Sequence, residues 1–452
     1  MYDLGIIGAG PAGYVAAERA GQQGLKTILF ETKEIGGVCL NEGCIPSKTL
    51  LYSAKLYENA KLGQKYGIYA SEVTFDLEKI MKRKNKVVKK LVGGIAAKMK
   101  AYNVEVAKGY VTIRERAKDH IILNVGEESY PCKNILICSG SETIIPPIEG
   151  LERDKVFTNR EILDIDYIPD SLTIIGGGVI GMEFACFFNS MGTKVTVIEM
   201  LDEILTGMDR DMSGMLRKEF QKKGIDFYLN AKVTAVNGKK VSFEQNGEKK
   251  SVSSDELLVS VGRKPNVTGF GLEKLGIELY KSGIKIDENC RTNVPNVYAA
   301  GDVTGFSLLA HTASREGEVV VNHLTGRKDR MRYRGIPAVV YTNPEVCGVG
   351  LTEEMARKKG IEYEVRQLPM AYAGRFLAEN EGKNGLSKVL VGKKYNEILG
   401  VHMIGNPSSE IIYGAAMAIE SEMTLKEMEE IVFPHPTVSE IFKENVFAFK
   451  NL

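Results

Sequence analysis

The 452-residue chain has no excess of either charge: 59 lysines and arginines stand against 58 aspartates and glutamates, for a formal net charge of +1 and a pI near 7.5. Such a balance offers no electrostatic reason to expect nucleic acid or an anionic membrane as a partner. No apolar run approaches the roughly 18 residues that cross a bilayer, so a membrane span is not expected. A leader is not expected either: the first strand-like run opens at Asp3, which leaves no room for a signal or transit peptide and points to the cytoplasm. Cysteine is sparse. Five of the seven, Cys132, Cys138, Cys186, Cys290 and Cys347, sit mostly among apolar neighbours and read as free thiols in cores, with no metal site.

The remaining two, Cys39 and Cys44, lie five residues apart in the segment GGVCLNEGCIPSK, positions 36–48. In a reducing compartment a disulfide between them is working chemistry and not a staple. Two buried small hydrophobes would be the bland alternative. In one continuous helix, five residues rise roughly 7.5 Å, beyond the ~7 Å that a disulfide spans without backbone movement, so a helix break is expected between them. Gly43 can supply it. Pro46 suits the first turn of a helix through Ser47, Lys48, Thr49 and Leu50. Cys44 then sits near a helix N-terminus, where free N–H groups, the helix dipole and Lys48 favour a thiolate.

The neighbours strengthen the redox reading. Asp3-Leu4-Gly5-Ile6-Ile7 leads into Gly8, Gly10 and Gly13, and Glu31 follows the apolar run Thr27–Phe30, 23 residues beyond Gly8. A strand, a GxGxxG turn, a helix and an acid at the next strand tip form a dinucleotide-binding unit. The pattern then repeats. Leu172–Ile175 leads into Gly176, Gly178 and Gly181, and Glu199 stands again 23 residues on. A carboxylate there would repel a 2′-phosphate, and Met200, Leu201, Asp202 and Glu203 offer no arginine, so the second unit is expected to take NAD in preference to NADP.

Along the chain, positions 79–100 suit an amphipathic helix whose basic run, Lys82, Arg83, Lys84, Lys86, Lys89 and Lys90, reads as a solvated face, with a docking surface for an acidic partner as the alternative. Segments 104–107, 110–113 and 120–125 read as antiparallel strands, and Asn134–Cys138 as a buried strand ending in Ser139-Gly140-Ser141. A second nucleotide domain follows and closes with Val261-Gly262-Arg263. Val297–Asp302 reads as a strand returning to the first domain, with Asp302 at its carboxyl end, where ligands sit in open α/β sheets. The expected domains are 1–144, 145–270, 271–336 and 337–452, the last an α+β domain of two-periodic strands with helices near 352–359, 408–421 and 437–447. Within it, His435 is held between Pro434 and Pro436 with Glu440 close behind, which fits a base oriented by a carboxylate.

These residues resemble the two-cysteine pyridine nucleotide–disulfide oxidoreductases over essentially the whole chain, and the CLNxGCIPSK pattern is most similar to the members that oxidise dihydrolipoyl groups. The resemblance implies an α/β fold of two Rossmann-like domains, for FAD and then NAD, and a C-terminal α+β domain that makes a homodimer. It implies that Cys39 exchanges with substrate, that Cys44 faces the flavin, and that His435 with Glu440 is the acid–base pair delivered from the other subunit. Lys48 would lie by the flavin ring paired with Glu183, Asp302 would hold the ribityl chain, Gly140 would belong to the FAD site and Gly262 to the NAD site. The implied partner is a lipoyl-bearing carrier protein or the acyltransferase core of a multienzyme complex; a glutathione-reductase-like enzyme and a docking subunit are the alternatives. Val38, Ser139 and Phe433 depart from the usual pattern, and positions 447–452 contain no cysteine.

Overall fold

The computed structural model describes residues 1–382 and 384–451; position 383 and the final residue, both within the expected C-terminal domain, lie outside the described residues. The chain divides into two units, one of residues 1–49, 79–144 and 262–331, the other of residues 50–78, 145–261 and 332–452.

The first unit opens with β1 (Tyr2–Ile7), α1 (Pro11–Gln22) and β2 (Thr27–Glu31). The two helices that carry the cysteine pair follow, the short α2 (Gly37–Glu42) and the 18-residue α3 (Cys44–Lys61), of which only Cys44–Thr49 belongs to this unit, then α4 (Leu77–Ala101) and the strands β3 (Glu105–Lys108), β4 (Val111–Arg116), β5 (Ile121–Val125), β6 (Glu128–Ile137) and β7 (Ser141–Thr143). Of the three segments expected to be antiparallel, β4 and β5 are, but β3 pairs parallel with β2, Leu29 opposite Val106. Length explains the difference: α4 is a crossover long enough to bring the chain back in the same direction. β6 changes partner along its length. Its first half is antiparallel to β5, and its second half lies parallel to β1.

Apolar side chains that alternate on these strands, among them Ile28, Phe30, Ile113, Leu123, Ile135 and Ile137, form one buried cluster. Complete burial of a side chain the size of Phe30 contributes about 2–3 kcal/mol. The expected solvated face of α4 has one exception: Lys84 is only 2 % exposed. It falls on the side of the helix that carries Ile80, Val87 and Leu91, which periodicity of charge alone does not reveal.

The second unit repeats the opening pattern with β8 (Ser171–Ile175), α5 (Val179–Ser190) and β9 (Lys194–Ile198), followed by α6 (Arg210–Lys222) and β10 (Asp226–Tyr228). The hairpin strands β11 (Ala231–Asn237), β12 (Lys240–Gln245) and β13 (Glu248–Ser253) make a separate antiparallel sheet, and β14 (Glu256–Val259) completes the parallel one in the order β10-β9-β8-β14. The chain then returns to the first unit through β15 (Arg263–Pro265), the short pair β16 (Leu279–Tyr280) and β17 (Gly283–Ile284), β18 (Val297–Ala299) and α7 (Ala310–Leu324). β18 lies parallel to the second half of β6, Tyr298 opposite Leu136, as its apolar run predicts.

The C-terminal part adds a five-stranded antiparallel sheet to the second unit. Its strands are β19 (Ala338–Val340), β20 (Val346–Gly350), β21 (Tyr363–Pro369), β22 (Leu386–Gly392) and β23 (Ile398–Ile404), in the order β19-β20-β23-β22-β21. The helices α8 (Glu353–Lys358), α9 (Gly374–Glu379), α10 (Ser408–Glu420), α11 (Leu425–Glu429) and α12 (Glu440–Phe447) accompany it. The three expected helices correspond to α8, α10 and α12. The hairpin-like pair is β22 with β23, Val389 opposite Val401.

One polar knot stands out. Lys388 on β22 is 2 % exposed, and its Nζ donates to both oxygens of Asp209 at 2.9 Å, to Asp211 Oδ2 at 2.5 Å and to Glu353 Oε1 at 3.0 Å. Burial works to lower the lysine's pKa, but its bonds to Asp211 and Asp209 outweigh this and raise it. The bond from Lys388 holds Asp211 below its ordinary value; burial opposes the same effect at Glu353, which is also lowered. The five scattered cysteines are free and buried.

Candidate active site

The helix break expected between the cysteines is present. α2 stops at Gly43, whose φ of −153° and ψ of −108° leave the helical region, and α3 starts at Cys44 itself. Ser47 N–H bonds back to Gly43 O at 3.0 Å, and the Ser47 hydroxyl donates to Cys44 O at 3.1 Å, so the first turn of α3 is held by its own side chain. Sequence reasoning missed Asn41. Its Nδ2 donates to Gly37 O at 2.9 Å and Ile35 O at 3.2 Å, pinning the loop that enters α2.

Cys39 and Cys44 are free thiols, each partly buried. The expected bond between them is not formed here. The two side chains are hydrogen-bonded, and this contact, with burial and a negative charge at Cys44, raises the pKa of Cys39 well above that of an ordinary thiol. Lys48 and the Cys44 N–H act the other way, more weakly. The two sulfurs thus lie in direct contact where α3 begins. Tyr14 on α1, unnoticed in the sequence, has its pKa raised by burial first and then by charge at Cys39 and Cys44.

The first glycine turn has the shape a dinucleotide needs. Gly8 has a φ of +103°, and a Cβ on Gly13 would come 1.9 Å from Gly8 O, so helix and turn touch directly. Gly10 caps α1 with no side-chain bond, and a Cβ there would meet nothing within 4 Å. There is therefore open room beside Gly10 at the head of α1, which fits a pyrophosphate brought close to a helix N-terminus. Glu31 Oε2 accepts from Ala9 N–H at 2.9 Å and Oε1 from Lys33 N–H at 2.8 Å, tying the second strand's tip to the turn. Gly140, with a φ of +70°, opens onto similar free space.

Asp302 follows β18 and is held by residues far away in sequence. The Ser141 hydroxyl donates to Asp302 Oδ2 at 2.6 Å, and Arg263 donates from Nε to the Ser141 hydroxyl at 2.8 Å and from Nη2 to Ser141 O at 2.7 Å. Burial raises the pKa of Asp302, partly countered by Ser141 and Arg263. The preceding Gly301 N–H donates to Glu316 Oε2 at 2.6 Å, and Glu316 is fully buried on α7. Of these supports only the aspartate was foreseen. Ser139, a departure from the expected pattern, bonds Asn266 O through its hydroxyl at 2.7 Å, which a threonine could equally do.

The second turn is nearly a copy. Gly176 has a φ of +108°, Gly178 caps α5 without a side-chain bond, and a Cβ on Gly181 would come 2.3 Å from Gly176 O. Glu199 Oε2 accepts from Gly177 N–H at 2.6 Å and Oε1 from Leu201 N–H at 2.8 Å. An arginine does reach this strand tip, from beyond Met200–Glu203: Arg210 Nη2 donates to Asp202 Oδ2 at 2.5 Å, while Arg217 is held by Glu203 at 2.8 and 2.9 Å. Both guanidinium groups are thereby committed to carboxylates. Gly262 has a φ of +122° and accepts Ile144 N–H at 3.0 Å. Glu183, on α5, is buried and accepts Tyr341 N–H at 3.0 Å; Lys48 lies in the first turns of α3, its Nζ 3.5 Å from the Ser47 hydroxyl.

His435 stands on the surface, its side chain 80 % exposed, with Nδ1 3.0 Å from Glu440 Oε1. Glu440 Oε2 accepts Thr437 N–H at 2.9 Å. That N–H, and then His435, lower the pKa of Glu440, so the acid is a carboxylate at neutral pH and draws the proton to Nδ1, leaving Nε2 free as a base. Phe433, one of the departures from the usual pattern, packs edge-on against Phe442.

Residues 2–317 match the family described as pyridine nucleotide-disulphide oxidoreductase, and residues 336–446 match its dimerisation domain. The chain belongs to this family, with two dinucleotide-binding domains and a C-terminal dimerisation domain. It is 39% identical over 449 residues to the dihydrolipoyl dehydrogenase of Bacillus subtilis, covering 98% of this chain and 95% of that one. It is 38% identical over 444 residues to that of Geobacillus stearothermophilus, covering 97% and 94%. The crystal structure of LpdA from Mycobacterium tuberculosis superposes with a TM-score of 0.91 at 25% identity, over 99% of this chain and 100% of that one.

Proposed function

We propose that the chain is a dihydrolipoyl dehydrogenase, an FAD- and NAD-dependent enzyme that oxidises dihydrolipoyl groups carried by a protein. The observation that carries this reading is the thiol pair at the α2–α3 break, in the same unit as the first glycine turn. FAD fits Gly8, Gly10, Gly13, Glu31, Gly140 and Asp302, with Lys48 near its ring. NAD fits Gly176, Gly178, Gly181, Glu199 and Gly262. When bound, the two groups supply a two-electron acceptor and a hydride acceptor.

The chain's own part is thiol chemistry. In the oxidised enzyme Cys39 and Cys44 form a disulfide. His435 Nε2, supplied by the partner subunit, takes the proton from one substrate thiol, and the thiolate forms a bond to Cys39 Sγ. The Cys39–Cys44 bond breaks, its electron pair leaving on Cys44 Sγ, where Lys48 and the head of α3 receive the charge. Once His435 has passed that proton to solvent, the second substrate thiol loses its proton to Nε2 and attacks its mate; the mixed disulfide breaks, and Cys39 leaves as a thiolate that takes this second proton from the imidazolium. Glu440 holds the imidazole in the one tautomer that can do this. The raised pKa of Cys39 favours that last protonation.

The partner is a lipoyl-bearing carrier or the acyltransferase core of a 2-oxoacid dehydrogenase or glycine cleavage complex, and the two copies of the dimerisation domain form the homodimer. No described helix is long and apolar enough to cross a membrane; a cytoplasmic location suits a pair that must cycle through free thiols. Steady-state assays of the flavin-loaded chain with dihydrolipoamide test the reading: turnover with NAD is expected, with kcat/KM for NADP lower by about a hundredfold or more. Faster reduction of glutathione disulfide by NADPH would overturn it.

A further inference from the structure

From Lys79 to Val104 the chain has nine lysines and arginines and no aspartate or glutamate, although the whole chain is nearly neutral. The excess is ordered by α4. At about 100° per residue, Lys79, Lys82, Arg83, Lys86, Lys89 and Lys90 fall within roughly a third of the helix circumference, and all six are exposed. Ile80, Lys84, Val87 and Leu91 mark the other side. Lys86, Lys89 and Lys90 pair with no carboxylate among the described residues. Spacings of three and four place them against one another, where like charges repel and weaken a helix. That repulsion does nothing for the fold, and only an anionic surface laid over it would turn it into attraction.

The position of this face indicates what that surface brings. Arg83 Nη1 donates to Thr49 O at 3.3 Å, and Thr49 stands on α3 five residues after Cys44. The charged face thus begins beside the helix that carries the redox sulfur, within the same unit. A 25-residue helix is about 37 Å long, close to the breadth of a small domain. Dihydrolipoamide itself is neutral and gains nothing from such a field. We infer that the cationic face of α4 is the docking surface for the carrier domain that presents the dithiol, and that this domain meets it with a carboxylate-rich face. The inference rests on the dihydrolipoyl reading and adds the chemistry of its macromolecular partner. A nucleic acid could lie on the same charges, but it would deliver no thiol to Cys39.

The test compares two substrates of the full-length, flavin-loaded enzyme: free dihydrolipoamide, and a dihydrolipoylated carrier domain of net negative charge. Between low salt and 300 mM NaCl, kcat/KM for the carrier should fall about tenfold while that for dihydrolipoamide stays within about twofold. The triple variant Lys86→Glu, Lys89→Glu, Lys90→Glu should lose about tenfold on the carrier at low salt, lose its salt response, and keep dihydrolipoamide turnover. If that variant does not fold, Lys86→Gln, Lys89→Gln, Lys90→Gln should show about a threefold loss on the carrier alone. Equal losses on both substrates, a carrier rate indifferent to salt and to the substitutions, or anisotropy titrations showing tighter binding to duplex DNA or anionic vesicles than to the carrier would each overturn the docking inference. A wild-type chain inactive on free dihydrolipoamide would instead overturn the reaction on which it rests.

Discussion

The two glycine turns are nearly the same object made twice. Gly8 and Gly176 share a left-handed φ, Gly13 and Gly181 share an impossible Cβ contact with the turn carbonyl, and Glu31 and Glu199 each accept one N–H from the turn and one from two residues beyond themselves. What differs is the chain that comes next. After Glu31 it enters α2 and α3 and their thiols; after Glu199 it enters Asp202 and Glu203, which bind Arg210 and Arg217. The strand–turn–helix is a generic holder for a dinucleotide, and each copy acquires its task from the dozen residues downstream.

The largest break in this symmetry should come from chemistry placed in one copy alone. Cys44→Ser is expected to lower dihydrolipoamide turnover by about a thousandfold or more, while titration calorimetry finds NAD affinity at the second turn unchanged within about twofold. Turnover near wild type would mean that the sulfurs are bystanders.

Specificity should respond less. With Glu199→Ala, Asp202→Ala the acid that disfavours a 2′-phosphate is gone and Arg210 is released; the NAD over NADP ratio of kcat/KM should drop by about tenfold to a hundredfold. The matching Glu31→Ala should leave that ratio alone and instead weaken FAD retention on dialysis. Identical effects of the two changes would erase the proposed division of labour.

The smallest effect is a contrast of pH. Asp302 in the first unit has its pKa raised by burial, so its stabilising contribution is complete below the ordinary value of 3.8 and is lost as pH rises through the folded value. Asp302→Asn should therefore make the flavin-free chain slightly more stable at pH 7. Asp211 in the second unit is lowered by Lys388, so its contribution is present above 3.8 and lost as pH falls through its lower folded value. Asp211→Asn should destabilise the chain at pH 7 by about 1 kcal/mol, because the exposed half of that pair is screened by solvent, and the difference should vanish in acid. Denaturant melts across pH 3–7 would show whether the two carboxylates slope in opposite directions.

What could be read without coordinates was local. Gly43 and Pro46 dictate the break and restart of the helix whatever surrounds them, and a 23-residue interval from glycine turn to acid is one turn, one helix and one strand long. Contacts made through space were not readable. Ser141 and Arg263 meet Asp302 from 161 and 39 positions away, Arg210 folds back to Asp202 across a turn, and β3 turned parallel because the crossover before it is helical. Lys84 went unnoticed because it was read with the charged run; its spacing of four from Ile80 and three to Val87 puts it on the apolar side, where it is buried.

β6 has a consequence for how the molecule is made. Its second half is sandwiched by β1 on one side and by β18 on the other, and β18 lies about 160 residues downstream. During synthesis the earlier strands can assemble as soon as they leave the ribosome, but one face of that strand's hydrogen-bonding row stays open until position 299 emerges. A nascent chain paused in the interval would expose a bare strand edge, so arrest anywhere between 140 and 290 should be the most aggregation-prone stage of its biogenesis.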